Sequence, residues 1–135
     1  MVIDTSAVLA ILLGEEDAGR YVQIIAASQQ NAMSAANWLE AAIVIDCRGD
    51  AVASREFDRF FRTSGIAVEP VTPEHAAIAR QAYREFGKGR HPAGLNLGDT
   101  FAYALAKSLD EPLLFKGNDF SQTDIEAVVD PKRPE

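Results

Sequence analysis

Four acidic residues of this chain stand beside apolar segments, where a carboxylate is costly to ionise. They are Asp4, Glu40, Asp99 and Asp119. A charged carboxylate among apolar side chains needs a positive partner, and a divalent cation is a common one in proteins. No histidine or cysteine stands beside these acids, so the residue types favour an all-oxygen site for Mg²⁺ or Mn²⁺ and suit zinc poorly.

Each of these acids also has an ordinary structural role open to it. Asp99 can be a helix N-cap, and Asp4 can cap a junction, although Thr5 and Ser6 offer capping groups there. Asp119 lies in an Asp-Phe-Ser sequence that is typical of a turn. Glu40 has apolar neighbours in sequence, and a glutamate there needs an exposed position or a charged partner. The metal hypothesis therefore depends on whether the fold gathers the four acids.

The elements predicted around the acids would bring them to one edge of a sheet. Asp4 and Asp119 each follow an apolar run that predicts a strand. Glu40 and Asp99 lie in early turns of helices that we expect to follow strands. Because the carboxyl ends of parallel strands meet at the same edge, and sites form there in such folds, we expect the four side chains to converge.

Strands and helices alternate along the chain, which predicts an α/β fold with a central parallel sheet of about five short strands flanked by helices. Strands are predicted at residues 1–3, 32–33, 66–68, 112–115 and 125–129. Helices are predicted at residues 7–13 with Thr5 or Ser6 as cap, 15–27, 35–48 with Ser34 as cap, 50–64, 73–86 with Thr72 as cap, and 98–109.

The composition indicates one domain without a membrane segment. The chain has 135 residues, 47% of them hydrophobic, which suits a single domain spanning residues 1–135 with a sizeable core. We expect residues 131–135 to form a flexible tail. No apolar run approaches the roughly 20 residues that cross a bilayer, so we expect a soluble, cytoplasmic protein with no membrane contact.

The charge balance argues against a strong general nucleic-acid binder. The chain carries 13 basic and 20 acidic residues, a net charge of −7. This argument fails locally where acids converge around a bound cation, because the charge of the ion then dominates the potential. Cys47 is the only cysteine, which excludes an internal disulfide and a cysteine-based metal cluster.

Each of the four acids lies in a short segment that resembles a motif of a known family. The segments are Met1–Ala7, Asn37–Glu40, Leu97–Ala106 and Leu113–Phe120. In this order and at this spacing they resemble the motifs of the PIN-domain ribonucleases, and among those the VapC-type toxins of bacterial toxin–antitoxin pairs. The resemblance spans nearly the whole chain, and four ordered motifs are far more specific than a lone Asp-Thr-Ser would be.

The resemblance implies a PIN-like fold and a Mg²⁺-dependent endoribonuclease that leaves a 5′-phosphate and a 3′-hydroxyl. It implies that Asp4, Glu40, Asp99 and Asp119 are the catalytic and metal-binding acids. It also implies that Thr5 or Ser6 supports the first acid.

The number of metal ions stays open at this point. We hypothesise that Asp4, Glu40 and Asp99 hold one Mg²⁺, and that Asp119 helps to place a second ion or the attacking water. The chain departs from some relatives at Asn118, where they carry another acid. An amide adds no charge, so a second metal would bind more weakly here.

A basic stretch precedes Asp99 in the sequence. It contains Arg80, Arg84, Lys88, Arg90 and His91. A charged stripe on a helix is often only its solvated face. The alternative is that Lys88, Arg90 and His91, on a glycine-rich loop, bind RNA phosphates with a steep salt dependence. Lys116, close to Asp119, is a further RNA-binding candidate.

The resemblance also implies partners. In such toxins an antitoxin packs against the toxin and places a basic side chain in the acidic site, and the excess of acid here suits that partner. The apolar residues 7–13 and 41–45 are candidates for its surface. A homodimer, an RNA substrate, and contact with DNA only through the antitoxin are further expectations.

Three other interpretations are open. A catalytically inactive PIN fold used for protein binding is one, although the intact acidic quartet argues against it. A phosphoryl-transfer enzyme of the haloacid-dehalogenase type needs a second acid two residues after the first, where Ser6 stands. A receiver-like Mg²⁺-binding domain needs an acidic pair after the first strand and a phosphoacceptor aspartate near the middle of the chain, and neither is evident.

Overall fold

The computed structural model describes residues 1–128, which form a parallel sheet with helices on both of its faces. The strands are β1 (Val2–Ile3), β2 (Ala32–Ser34), β3 (Ala67–Glu69) and β4 (Leu113–Leu114). The helices are α1 (Thr5–Leu12), α2 (Ala18–Ala27), α3 (Ala35–Asp46), α4 (Ala51–Thr63), α5 (Pro73–Phe86) and α6 (Leu97–Leu109). The predicted α/β class and parallel sheet are confirmed. The predicted tail, residues 131–135, lies outside the described residues.

The strand order places the first strand in the middle of the sheet. The order is β3-β2-β1-β4, and every pairing is parallel. Val2 lies opposite Ala32 on one side and Leu113 on the other. The chain therefore leaves β1 at the point where the strand order reverses, and in doubly wound sheets a crevice for ligands opens there. Asp4 is the residue at that point.

Neighbouring residues of the short strands serve two separate cores. Ile3 and Leu114 point to the face covered by α1, α2, α3 and α4. Val2 and Leu113 point to the opposite face, where they pack with buried residues of α5 and α6. Because both faces are covered, the strands are apolar at consecutive positions rather than at alternate ones. The sheet is thus held from both sides close to its acidic edge.

The prediction of about five strands is too high for the described residues. The segment expected to form the fifth strand makes one isolated parallel bridge, from Ala127 to Leu113. Leu113 donates its amide to the Glu126 carbonyl, and Val128 donates to the Leu113 carbonyl. Since β4 has only two residues and the chain before Ala127 is folded into local turns, no longer ladder forms. Val129, the predicted end of that strand, lies outside the described residues.

The expectation that the Asp99 helix follows a strand is wrong. The helix α6 follows α5 directly, across a loop formed by residues 87–96. The loop closes on itself because Lys88 donates its amide to the Leu95 carbonyl and Leu95 donates to the Phe86 carbonyl, each at 2.9 Å. Leu95 is fully buried and anchors the loop in the core. This anchored loop, rather than a strand, sets where α6 begins.

Two predicted helix starts are also corrected. The cap of α1 is Asp4 rather than Thr5 or Ser6, because the backbone of Asp4 is extended and its carboxylate accepts the Ser6 amide. The helix α6 begins one residue before Gly98, with Asn96 as its N-cap, so Asp99 is not the cap. The predicted caps Ser34 and Thr72 are confirmed.

The second helix also starts later than predicted. It begins at Ala18 rather than at Glu15, because residues 13–17 form turns after α1.

Within residues 1–128, no helix has the length and apolar character needed to span a bilayer.

Candidate metal centre

Asp4 is buried at the carboxyl end of the central strand. Its side chain is 4% exposed, and its Oδ2 accepts the Ser6 amide at 3.0 Å. Burial raises the pKa of Asp4 to about 6, and the charge of Glu40 adds to this effect, while hydrogen bonds from Ser6 oppose it. The Ser6 hydroxyl in turn accepts the Lys116 amide at 2.9 Å, which ties α1 to the segment after β4. Hydrogen bonds therefore hold Asp4 in a position where its charged form is disfavoured.

Asp99 is held by the first turn of α6. Its Oδ2 accepts the Asn96 amide at 3.1 Å while its own amide donates to the Asn96 side chain at 2.9 Å, a reciprocal capping box. The pKa of Asp99 is raised to about 7, chiefly by burial and also by the charges of Asp4 and Asp119, while the Asn96 hydrogen bond opposes the rise. The capping box thus fixes a carboxylate close to two others.

Glu40 reaches the same edge from the second turn of α3. Its side chain is exposed, and its carboxylate lies against the backbone of Gly98 in α6. A Cβ atom at Gly98 would lie 2.9 Å from Oε1 of Glu40 and closer still to Oε2. The absence of a side chain at Gly98 therefore leaves the space that the Glu40 carboxylate fills.

Replacement of Gly98 by alanine tests whether the position of Glu40 matters. The added methyl group should push the Glu40 carboxylate aside and lower the RNA cleavage that the resemblance implies about as far as Glu40→Gln does. The Gly98→Ala fold should be as stable as the wild type or up to about 1 kcal/mol more stable, because alanine favours a helix. Cleavage rates and thermal unfolding of both variants measure this. A Gly98→Ala protein with the wild-type rate would show that the Glu40 position is not required.

Asp119 lies in the turn after β4 and is exposed. It is close enough to Asp99 for a hydrogen bond between their side chains, which is one cause of the raised pKa of Asp99. The next residue, Phe120, is buried and packs on Phe115 at 5.1 Å between ring centroids. Asn118 shapes the turn through its carbonyl, which accepts the Ser121 hydroxyl at 2.7 Å. A buried aromatic ring therefore holds an exposed acid beside the centre.

The four predicted acids are brought within electrostatic reach of one another. The charge of Glu40 acts on Asp4, and the charges of Asp4 and Asp119 act on Asp99. The groups that shift the pKa of Asp4 and of Asp99 include no basic side chain. This donor set, carboxylate oxygens without a counter-charge, fits a hard divalent cation, which would relieve the repulsion.

The side chains as they stand in residues 1–128 do not enclose a ready metal shell. No three or more histidine, cysteine or acidic side chains of this part of the chain are arranged to hold one ion. Asp4 and Asp99 are fixed by their capping hydrogen bonds, whereas Glu40 and Asp119 are exposed. Closure around an ion thus calls for movement of the two exposed acids.

The predicted RNA contacts lie in different surroundings. Lys88 and Arg90 line a cleft between α5 and α6. The His91 ring packs edge-on against Phe86, and its Nδ1 accepts a backbone amide. The Lys116 ammonium lies 3.5 Å from Glu15 and 3.7 Å from a second acid in the turn before α2, so its charge is partly balanced there.

Asn37 connects the elements of the centre, although sequence reasoning gave it no role of its own. It is fully buried, and its Nδ2 donates to the Gly98 carbonyl at 2.9 Å. Its backbone carbonyl accepts the Thr5 hydroxyl at 3.2 Å. Asn37 thus joins the first turns of α1, α3 and α6. Asp4 caps the first of these helices, and Glu40 and Asp99 lie in the other two. A polar residue in the first turn of an apolar helix was the signal available in the sequence.

Comparison with known proteins places this geometry in a family. The PIN domain profile matches residues 1–126. VapC ribonuclease Mb0625 of Mycobacterium bovis and Ribonuclease VapC28 of Mycobacterium tuberculosis are each 47% identical over 131 residues, which is 96% of this chain and 98% of theirs. Ribonuclease VapC of Mycolicibacterium smegmatis is 49% identical over 128 residues, 95% of this chain and 99% of its own.

Solved structures share the fold at much lower identity. Mycobacterium tuberculosis VapC20, a sarcin-ricin loop cleaving toxin, aligns with a TM-score of 0.76 at 17% identity, covering 94% of this chain and 97% of that one. A toxin–antitoxin complex from Klebsiella pneumoniae aligns with a TM-score of 0.69 at 18% identity, covering 91% and 92%. Together with the profile match and the nearly full-length relatives, these likenesses show that the chain belongs to the PIN-domain family, in its VapC-type branch.

Proposed function

We propose that this protein is a Mg²⁺-dependent endoribonuclease that serves as the toxin of a toxin–antitoxin pair. The observation that carries the proposal is the convergence of four carboxylates, two of them buried with raised pKa values, where the strand order reverses. Relatives at 47% identity that are named ribonucleases support the reaction class. RNA is a polyanion, and its phosphates would be repelled by these carboxylates. A cation bound between the acids and a phosphodiester would remove this repulsion.

The chain's own residues have distinct parts in this centre. Asp4, Glu40 and Asp99 would hold one Mg²⁺, with Mn²⁺ as an alternative ion. When bound, such ions supply an activated water and neutralise charge on the reacting phosphate. Asp119, at the exposed side of the centre, orients the attacking water or helps to hold a second ion. Asn118 beside it contributes an amide without charge, which favours one tightly held ion over two.

Two hydroxyl side chains support the first acid. Ser6 hydrogen-bonds to Asp4 and at the same time holds the segment that leads to Asp119, through the Lys116 amide. Thr5 is buried and donates to the Asn37 carbonyl, which fixes the start of α1 against α3. Neither hydroxyl is assigned a role as a base, because both are engaged in hydrogen bonds that hold the start of α1 in place.

An assay on purified protein tests the proposed function. Unstructured RNA incubated with Mg²⁺ should be cut internally, and the products should carry a 5′-phosphate and a 3′-hydroxyl. Chelation by EDTA should stop the reaction, and Mn²⁺ should restore it. Products with a 2′,3′-cyclic phosphate would contradict water as the nucleophile, and equal cleavage in EDTA would contradict the need for a divalent ion. RNA left intact in both ions would instead favour the inactive, protein-binding PIN fold.

The proposed partner is an antitoxin with a basic segment. Apolar side chains on one side of α3 are exposed, among them Leu39, Ile43 and Val44, and Val22 of α2 is exposed as well. The net charge of −7 favours a basic partner on electrostatic grounds. The related fold in a toxin–antitoxin complex supports this partner class. We propose that the toxin forms a homodimer and meets DNA only through the antitoxin.

A further inference from the structure

The segment after β4 carries Asp119 without regular secondary structure. Residues 115–126 form neither a helix nor a strand. Such a segment takes its position from individual contacts rather than from a ladder of backbone hydrogen bonds. Phe120 supplies one of these contacts, because its ring is buried in the core that β4 and α6 share. One buried ring fixes where the segment lies, but it does not by itself fix the direction of the neighbouring Asp119 side chain.

A second anchor holds the segment at Asp124. Tyr103 donates its hydroxyl to Oδ1 of Asp124 at 2.7 Å, and the Lys107 ammonium lies 2.6 Å from Oδ2 of the same carboxylate. The ammonium also lies over the Tyr103 ring, 5.8 Å from its centroid. Both oxygens of the carboxylate are therefore held from α6. We call Tyr103, Lys107 and Asp124 the Asp124 clamp.

The Asp124 clamp and the metal centre share one face of α6. Asp99, Tyr103 and Lys107 follow one another at intervals of four residues, which places them on the same side of the helix. Asp99 is close enough to Asp119 for a hydrogen bond between their side chains, as described above. The segment after β4 thus meets this face of α6 through two of its acids, Asp119 and Asp124.

Short turns connect the Asp124 clamp to the residue beside Asp119. The Ile125 amide donates to the Thr123 hydroxyl at 3.2 Å. Thr123 in turn donates its amide and its hydroxyl to the Phe120 carbonyl, at 3.0 and 2.7 Å. Because these bonds restrict the backbone between the two acids, a displacement at the clamp is passed back to Asp119.

The two acids of the segment differ in how their charge is compensated. Although partial burial tends to raise the pKa of Asp124, the hydrogen bonds from Lys107 and Tyr103 and the charge of Lys107 lower it below its usual value. Across residues 1–128, no ion pair engages Asp119, and its charge raises the pKa of Asp99. The chain thus supplies a cation for the acid that anchors the segment and leaves the other acid to a cation from outside.

We propose that Tyr103 and Lys107 are positioning residues for the metal centre, because they hold Asp124 and thereby fix the place of Asp119 beside Asp99. This inference rests on the proposed ribonuclease function and adds to it two residues that act through another side chain. The alternative is that the Asp124 clamp only stabilises the fold, and weakly so, as partly exposed ion pairs commonly do.

Cleavage rates at saturating Mg²⁺ test the proposal. The variant Tyr103→Phe/Lys107→Gln, which releases both oxygens of Asp124, should cut RNA at least about tenfold more slowly, since misplacement of a reacting group by about 1 Å can cost roughly 10²-fold. Lys107→Arg keeps the cation and should retain most of the wild-type rate. The matched control Arg59→Gln removes the cation of an exposed ion pair in α4 and should change the rate less than about twofold.

A double-mutant cycle with Asp119 separates positioning from stability. In an Asp119→Asn background, where the positioned carboxylate is already absent, Tyr103→Phe/Lys107→Gln should cause no further loss of rate. Protein in excess over RNA keeps slow rates measurable. Losses that multiply would overturn the proposal, because the Asp124 clamp would then act through Asp99 or through the fold as a whole. Equal rates of the wild type and the clamp variant would overturn it as well.

Hydrogen exchange of the metal-free protein gives a readout that does not depend on activity. Amides of residues 116–126 should exchange faster in Tyr103→Phe/Lys107→Gln, while those of α1 and α3 should keep their wild-type rates. Unchanged exchange of residues 116–126 would overturn the proposal. If the double variant fails to fold by circular dichroism, Lys107→Gln alone replaces it, with a smaller loss of rate and faster exchange in the same segment.

These outcomes are separable from failure of the proposed function. A wild type that cuts RNA in Mg²⁺, together with a clamp variant that cuts equally fast, keeps the proposed function and overturns this inference. A wild type that cuts no RNA in any divalent ion overturns the proposed function, and unchanged exchange of residues 116–126 in the clamp variant would then overturn the inference independently.

Discussion

Replacement of Asp99 by asparagine should lower Mg²⁺-dependent RNA cleavage by at least about 10²-fold while the fold is retained. Asparagine keeps an oxygen that can accept the Asn96 amide, so the capping box survives in part. It removes the charge that would hold the cation. Asp4→Asn should have an effect of similar size, because asparagine caps a helix about as well as aspartate.

The choice of asparagine separates catalysis from capping. Asp4→Ala would also remove the N-cap of α1, which stabilises by about 0.5–2 kcal/mol. A matched control exists in Asp50, which caps α4 through Val52 and Ala53 at the surface. Asp50→Asn should cleave RNA at the wild-type rate. Wild-type cleavage by either Asp4→Asn or Asp99→Asn would remove that acid from the proposed centre.

Addition of Mg²⁺ should raise the thermal stability of the protein, and the gain should depend on pH. At a Mg²⁺ concentration about 100 times the dissociation constant, the expected gain is about 2.7 kcal/mol, or a few degrees in Tm for a domain of this size. The reason is that the ion binds the gathered carboxylates of the folded state only. Thermal unfolding with and without Mg²⁺ measures this.

The sign of the pH dependence follows from the raised pKa values. Folding raises the pKa of Asp4 from 3.8 to about 6 and that of Asp99 from 3.8 to about 7. The folded state therefore holds protons that the unfolded state releases, and their contribution to stability is complete below about pH 4. It is lost as the pH rises through 6 to 7. The metal-free protein should thus lose stability over this window, and Mg²⁺ should add little near pH 4 and most above pH 7.

The double variant Asp4→Asn/Asp99→Asn is the control for both effects. Without its two titrating carboxylates it should keep its metal-free stability between pH 4 and 7, apart from what other groups contribute. It should also gain no stability from Mg²⁺. A shift in Tm as large as that of the wild type would place the bound ion elsewhere on the molecule.

Much of the site could be predicted because its residues follow local rules. Asp4 comes directly after a strand that is apolar at every position, and in a parallel sheet this fixes the edge where it lies. Glu40 falls in the second turn of a helix whose cap, Ser34, is evident in the sequence. The order of the acids along the chain then matches the family motifs. Membership in the PIN-domain family leaves the phosphoryl-transfer and receiver-like interpretations without support.

The remainder depends on contacts between distant parts of the chain. The start of α6 is set by buried Leu95, which closes a loop that composition alone presents as open and glycine-rich. The hydrogen bond from Asn37 to the Gly98 carbonyl joins residues 61 apart in sequence. The missing fifth strand reflects the two-residue length of β4, which local propensity does not reveal. Local patterns therefore located the acids but not the framework that joins them.

The direct succession of α5 and α6, without a strand between them, has an evolutionary consequence. Residues 73–109 form one continuous segment that carries the cleft between α5 and α6 and only one of the four acids of the centre, Asp99. The other acids belong to separate elements around β1, α3 and β4. Replacement of this one segment by its counterpart from a homologue would therefore exchange one acid together with its capping loop, and would leave the elements that carry the other three acids in place.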